Sequence, residues 1–437
     1  MDMNDEVRTR TALLGSSSDA ATRVFTTILT RSPISRIDVA KLTGLSQAAV
    51  TKAVAPLVAV GLLNDSLGPT LTGLPGRPVS PVALVPDAVV TLGIKVNADE
   101  LIGVATDLTT RVIASERLPL TSHAPAEVID AIVELCALLE QRLDGLGPRL
   151  ASVGVAVSGD VDTAKGVVRD SALMEWKGVE LGTALQERLG RRVVIENDVR
   201  ALTIGEHWFG VGLGTSSFAI VTIGRGIGSG LHLNGEVVEG AYGVAGEIGH
   251  LPLTSPDHVC ACGRRGCVEA VASTTAIAAA VSAAHGREVT MSEAVELRRA
   301  GDAAAVEVFD EAGRVIGAAI ASLVNLVGPE LVVIGGEGVA DFDLIEEPLR
   351  RSYSEHVFAS ADQCQLAVRP HTFEDWARGP RPARSGRWWC EAAGCRDSAP
   401  PRCPAARERA LMMVFPCGLR RIECGDGVVK WRAGWRL

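Results

Sequence analysis

The sequence predicts an α/β protein of more than one domain, with a small helical unit ahead of a two-lobed body. Three observations carry this expectation. The 437 residues exceed what a single hydrophobic core usually organises. From Val89 onward, short apolar strand-like runs alternate with helical segments, and the alternation starts afresh near Phe218. The first 80 residues instead hold three capped helical stretches with a glycine at one turn.

In the amino-terminal unit, residues 20–82, Val24, Phe25, Ile28 and Leu29 recur at helical spacing behind Asp19, which is placed to cap the first helix. Ser35 caps a second helix with Val39, Ala40 and Leu42 inward, and Gly44 ends it. Ser46 caps a third, with Val50, Val54 and Leu57 inward and Gln47, Ala48, Thr51 and Lys52 outward. Helix, glycine-bearing turn and helix make a helix-turn-helix. The third helix has the size and side chains to enter a major groove, through Ser46, Gln47, Thr51 and Lys52. GLLNDSLGPTLTGLPGRPVSPVAL then reads as two short strands around a Gly/Pro-rich tip, a wing whose Arg77 can meet phosphate or a minor groove. Pro56 removes a backbone donor inside the third helix, so a kink or early end is expected near Ala55. A three-helix unit that binds protein is the rival reading, and it accounts less well for turn, caps and wing together.

The body reads as two lobes, residues 86–195 and 196–379. VVTLGIKVNADELIGVATDL and RVIASERLPL are strand, turn and strand; a helix about 125 to 143 carries Val128, Ile132, Leu135 and Leu139 on one face. Buried-strand runs follow at 151 to 157 and 193 to 195. The second lobe runs from Phe218 through a helix at 312 to 327 to the strand LVVIGG. IENDVRA places Asn197 and Asp198 directly after a strand, where α/β loops meet ligands, although Asn-Asp there is by itself more often a turn or a cap. Gly159, in VAVSGDVD, allows a close backbone approach. TIGRGIGSG is a glycine-rich turn able to present N–H groups to an anion, and tight hairpins use the same residues.

GEIGHLPLTSPDHVCACGRRGCVE, residues 246 to 269, carries Cys260, Cys262 and Cys267 in the order C-x-C-x4-C with a histidine upstream. Three thiolates and one imidazole at this spacing suit a closed tetrahedral structural Zn2+ site, and Gly263 and Gly266 permit the sharp turns it needs. Spacing alone leaves His250 and His258 both open as the fourth ligand. The competing readings are small buried hydrophobes or a redox pair.

No apolar run approaches 18 residues, so no transmembrane helix is expected. The first 30 residues lack a basic start and an apolar core, which argues against a signal peptide and for a cytoplasmic, nucleoid-associated protein with reduced thiols. Residues 1 to 80 hold 8 Lys+Arg against 6 Asp+Glu, and residues 380 to 437 hold 12 against 5, within a chain of net charge −9. The body between is therefore strongly acidic, and contact with nucleic acid belongs at an end.

GEIGH followed by CACGRRGCVEAVAS resembles the signature of the ROK family of sugar kinases and sugar-responsive repressors, and the similarity runs from about residue 20 to 379. The resemblance implies an actin-like ATPase fold with a cleft between the lobes. It implies that His250 is both metal ligand and sugar contact, that Glu247, His250 and Glu269 bond sugar hydroxyls, and that Asn197 and Gly159 line the same site. Asp198 matches the general base of the kinases. The winged helix-turn-helix belongs to the repressor branch of the family. In the kinases the first phosphate loop is a G-I-D-I-G-G-T-K type hairpin; here it reads Gly93, Ile94, Lys95, Val96, Asn97, Ala98, Asp99, Glu100. Lysine replaces the magnesium-orienting Asp, the glycines gain side chains, and two carboxylates face the phosphates, each costing about 4 kcal/mol against a like charge about 4 Å away at an effective dielectric near 20. TIGRGIGSG resembles the second phosphate loop with Arg225 for the usual Thr, and VVIGGEG resembles the adenosine loop. The expected protein is a transcriptional regulator with operator DNA and a monosaccharide effector as partners, a homodimer or homotetramer off the membrane, in which Asp198 is a vestigial base. The alternative is an active ATP-dependent kinase of a hexose or N-acetylhexosamine with an accessory DNA-binding domain.

After EDWARG the composition changes. Residues 380–437 hold 11 Arg, 5 of the 10 Cys and 4 of the 7 Trp without amphipathic period, which reads as an aberrant, frameshifted or disordered tail.

Overall fold

The computed structural model describes residues 18–66 and 81–370. The wing tip with Arg77 and the segment 380–437 lie outside the described residues.

Helix α1 (Asp19–Arg31) buries Val24, Phe25, Ile28 and Leu29 as their spacing requires, but its cap is Ser18, whose hydroxyl accepts from Ala21 N. Asp19 sits one residue later, in the first turn, where its charge meets the positive end of the helix dipole. Strand β1 (Ile34–Ser35) leads into α2 (Arg36–Thr43), capped by Ser35 and ended by Gly44 in the left-handed region at φ 68°. Leu42, expected inward, is 37% exposed. Helix α3 (Gln47–Ala59) is capped by Ser46 and buries Val50, Ala53, Val54 and Leu57. The early end expected at Pro56 does not occur. Pro56 and Lys52, whose carbonyl loses its donor there, both lie on the exposed face, while Val54 and Leu57 hold the turn against the core. Strands β2 (Leu63–Asn64) and β3 (Pro81–Leu84) pair antiparallel as the stem of the wing, and β1 adds to the other edge of β3.

The body holds two five-stranded sheets. In the first, β4 (Val90–Val96), β5 (Glu100–Thr106), β6 (Val112–Pro119), β7 (Leu150–Val157) and β11 (Arg192–Asn197) lie in the order β11-β7-β4-β5-β6. In the second, β12 (Phe218–Ile223), β13 (Ile227–Leu233), β14 (Glu236–Val237), β15 (Leu331–Gly335) and β16 (Gln365–Val368) lie in the order β14-β13-β12-β15-β16. The two orders are the same topology written twice: a first strand flanked by an antiparallel meander on one side and two parallel strands on the other. A smaller sheet of β8 (Asp160–Asp162), β9 (Val167–Ser171) and β10 (Trp176–Val179) extends the first lobe. Helix α4 (Pro125–Gln141) lies so close to β5 that a Cβ at Gly103 would meet Leu135 and Leu139. In the second lobe α7 (Glu269–Ala272), α8 (Thr274–His285) and α9 (Met291–Arg299) precede the 25-residue α10 (Ala303–Val327). Gly313 and Gly317 let the backbone of α11 (Glu346–His356) seat directly on α10.

Between the lobes runs one helix that is buried on every side. In α6 (Asp198–Phe209), which follows α5 (Leu181–Leu189) and β11, every residue but His207 is buried. Val199 and Leu202 pack with Phe218, Ile220, Leu331 and Val333 of the second sheet. Ile204, Trp208 and Phe209 join the same apolar cluster as Phe25, Val54, Leu57 and Leu62 of the amino-terminal unit. His207 stacks on His232 of β13 with ring centroids 4.0 Å apart, and His232 stacks in turn on Phe218.

Burial holds His232 down at about 4, below its ordinary 6.5, against the weaker opposing effects of the Gly235 backbone and Glu236. Between those two pH values the unfolded chain takes up a proton that the folded one refuses. Stability therefore falls as pH drops from about 6.5 towards 4, by at most about 3 kcal/mol from this group. Thermal melts across that range are expected to show this loss, and a His232→Phe variant is expected to flatten it.

Candidate functional site

The carboxyl end of β11 and the amino end of α6 form one wall of the cleft. Asn197 caps α6, its side-chain oxygen accepting from Arg200 N at 3.0 Å while its amide donates to Gly159 O at 2.9 Å. The capping role and the cleft position thus coexist in one residue. Gly159 has φ 116°, and a Cβ there would strike the backbone of Asp170 and Ser171, so only glycine brings this carbonyl to Asn197. Arg200, one turn along, is 7% exposed and forms a buried ion pair with Glu196. It also donates to Gly243 O at 2.8 Å and Thr163 Oγ1 at 3.2 Å, which ties the β8–β9 hairpin to the loop before Glu247. Nothing in the spacing of IENDVRA marks Arg200 as the tie between these two loops.

Asp198 begins α6 with one carboxylate oxygen accepting from Val199 N at 2.9 Å. The other oxygen is held by the ammonium of Lys95 from β4, a buried pair whose side chains are only 5% and 11% exposed. Lys95 is the residue that stands in the first hairpin where the kinases carry Asp, and no local pattern marks its partner, which lies 103 positions away.

The cysteine loop folds as a knuckle. Cys260 N donates to Arg264 O, Gly263 N donates back to Cys260 O, and Gly263 and Gly266 take φ 82° and 77°. Donor atoms of His250, Cys260, Cys262 and Cys267 all lie within 4.8 Å of one another. Cys260 Sγ stands 3.8 Å from His250 Nδ1, and Cys262 Sγ stands 3.9 Å from Cys267 Sγ. Ligands at about 2.3 Å from a tetrahedral centre are about 3.8 Å apart, so the four residues fit a metal ion. His258 is not among them.

The same loop carries the acidic side of the cleft. Glu269 accepts from Ile227 N at 2.9 Å with one oxygen and from the Cys260 thiol at 3.7 Å with the other. Glu247 reaches cleft solvent, yet the walls around it push its carboxyl above the usual range; His250 opposes the shift, and Asp198, Glu269 and Asp160 add to it. Glu247 lies within electrostatic reach of His250, Asp198 and Glu269, and Asn197 adjoins Asp198 at the head of α6, so acceptors and donors from separate elements lie near one another.

Across the cleft the two equivalent hairpin turns of the lobes meet. Arg225, between β12 and β13, pairs with Asp99, between β4 and β5, at 3.1 Å. Glu100 pairs with Arg117 at 3.4 Å. Both carboxylates expected to repel phosphate are therefore partly neutralised, and the obstacle to an anion is more direct. Glu337 accepts from Arg225 N at 2.8 Å, and a Cβ on Gly224 would collide with the same carboxylate. The glycine-rich turn already holds an anion, and it is the chain's own. The GGEG motif contains Glu337, but only the fold brings it onto this turn.

On α3, Ser46, Gln47, Thr51 and Lys52 are exposed together. Thr51 spends its hydroxyl proton on Gln47 O at 2.9 Å, which leaves its oxygen lone pairs and methyl group outward.

A profile of the ROK family matches residues 91–378. The chain belongs to the ROK family. Within it, a xylose repressor of Bacillus spizizenii is 26% identical over 331 residues, spanning 76% of this chain and 85% of that protein. A glucokinase of Thermotoga maritima is 31% identical, but over 49% of this chain. The crystal structure of a ROK family transcriptional regulator, a homologue of the Escherichia coli MLC protein, superposes with a TM-score of 0.71 at 25% identity, covering 82% of this chain and 93% of that one. The ROK repressor and regulator thus match a larger share of the chain than the ROK glucokinase does.

Full-length protein dialysed against Zn2+ is expected to retain one ion per chain by elemental analysis. Cys260→Ser and Cys267→Ser are each expected to lower that affinity by tenfold or more, since a tetrahedral site loses its closure with any ligand. Retention unchanged in both variants would exclude the cluster as the metal site.

Proposed function

We propose that this ROK protein is a sugar-responsive, DNA-binding transcriptional regulator that binds its sugar without phosphorylating it. The observation that carries this reading is the buried Lys95–Asp198 pair. A general base must accept a proton from the attacking hydroxyl, and here an ammonium already occupies that carboxylate. Accepting a proton would break the pair and leave the lysine charge buried without it. Glu337 on the glycine-rich turn supports the same conclusion, because phosphoryl transfer depends on positioning and neutralising phosphates that this turn is not free to receive.

The remaining acceptors and donors of Asn197, Asp198, Glu247, His250 and Glu269, with the Gly159 loop behind them, are the sugar-binding set in this reading. His250, Cys260, Cys262 and Cys267 hold a structural Zn2+ that fixes the loop carrying Glu247 and Glu269. The exposed face of α3 reads operator DNA through Ser46, Gln47, Thr51 and Lys52, with Arg77 of the wing on the backbone or minor groove. Two such helices are needed for a two-fold operator, so the working form is a homodimer or a homotetramer in the bacterial cytoplasm. In this reading residues 20–82 form the DNA-binding domain, and the expected lobe boundary at 195/196 moves to Asn197, where the last strand of the first sheet ends.

Two measurements test this. Incubation with ATP, Mg2+ and a panel of monosaccharides is expected to yield no sugar phosphate, and turnover above the sugar-free control would overturn the non-catalytic reading. Selection of genomic DNA fragments by the full chain is expected to enrich a two-fold sequence. On that fragment Lys52→Ala is expected to reduce the salt dependence of binding by about one counterion, and Gln47→Ala to relax sequence preference at one base pair.

A further inference from the structure

We infer that Lys95 and helix α6 form a coupling rod between the sugar cleft and the DNA-reading domain, with Lys95 as a positioning residue that sets where the rod rests. The Lys95 ammonium holds Asp198, the first residue of α6, from the neighbouring β4 strand of the first lobe. Asn197 fixes the same end to the Gly159 carbonyl. The other end of α6 lies about 18 Å away at 1.5 Å per residue. There Ile204, Trp208 and Phe209 share a continuous apolar cluster with Val24, Phe25, Ile28, Val54 and Leu57 of the winged helix.

A rod of this kind transmits only if it cannot bend or slip locally. Val199 and Leu202 are clamped on the second sheet, His207 is stacked on His232, and the carboxylate of Glu206 accepts from Val211 N at 2.7 Å and from Arg369 at 3.4 Å. Walls packed this tightly shift between discrete arrangements instead of deforming smoothly. A ligand hydroxyl arriving at Asp198 must share the carboxylate with Lys95. Whatever displacement follows at the first turn is carried to Trp208 and Phe209, and thus to the seat of helices α1 and α3. The chain segment from 85 to 89 runs beside this junction, with Val85 N donating to Leu62 O and Leu108 N to Pro86 O, and Leu108, Ala151 and Val237 of the body also pack on the cluster.

The sugar-dependent half of this inference rests on the reading that a monosaccharide meets Asp198; the mechanical half does not, and the experiment separates them. Hydrogen exchange by mass spectrometry on the full chain would follow amides in residues 24–29 and 50–57. Without any sugar, Lys95→Met is expected to change their exchange by about fivefold or more, the lower bound of a typical coupling between sites, and Lys95→Arg to return it towards wild type. Leu139→Ala, a cavity in the first lobe's core away from α6, is expected to leave them unchanged. Should Lys95→Met not fold, the charge-neutral Lys95→Met/Asp198→Asn double variant takes its place. D-glucose, D-xylose and N-acetyl-D-glucosamine would then be added to wild type, and the one that raises the melting temperature is expected to alter the same amides. No change in Lys95→Met, or in the double variant that takes its place, or an equal change in Leu139→Ala, overturns the rod. A response to Lys95→Met with no sugar binding leaves the rod standing and overturns the sugar-sensor reading. Sugar binding that leaves residues 24–29 and 50–57 unaffected overturns the rod as the signalling route.

Discussion

A lysine and an aspartate buried against each other form the contact on which the rest of this molecule turns. Taking both charges out of water is expensive, and the pair persists because each is the other's main compensation. The pair fixes the first turn of α6, and α6 in turn lies between both sheets and the winged helix. One ion pair therefore touches three parts of the chain: the head of α6 through Asp198, the first sheet through Lys95, and the apolar cluster of the amino-terminal unit through the far end of the helix.

Much of the architecture could be read from residue pattern because it is local. Serine caps, the glycine that ends α2 and the apolar face of α1 are decided within a few residues, and they appear as the spacing implies apart from small shifts such as Ser18 for Asp19. Pro56 was misleading for a physical reason: a missing donor costs little on a solvent-facing turn held down from the other side. The cysteine cluster was legible because its ligands are close in sequence. The fourth ligand was not decided by spacing, and the fold brings His250 to the thiols where His258 is not.

The long-range pairings were not legible. Lys95 with Asp198, Arg225 with Asp99, and Glu337 on the backbone of Arg225 join residues more than a hundred positions apart. A reader of the sequence sees lost glycines and a misplaced lysine and infers damage to a phosphate site. The folded chain shows the lysine engaged with Asp198, and Arg225 with Asp99. The duplicated strand order explains the meeting of Arg225 and Asp99, since equivalent hairpins of two like sheets face each other across the cleft.

That arrangement bears on how such a chain could change its trade over generations. A return of aspartate at position 95 would set two carboxylates against each other at Asp198 while Glu337 still filled the opposite turn. Clearing Glu337 alone would open a turn with no magnesium-orienting partner across from it. Each single change leaves the other contact in place, so opening a phosphate site here would take more than one substitution at once.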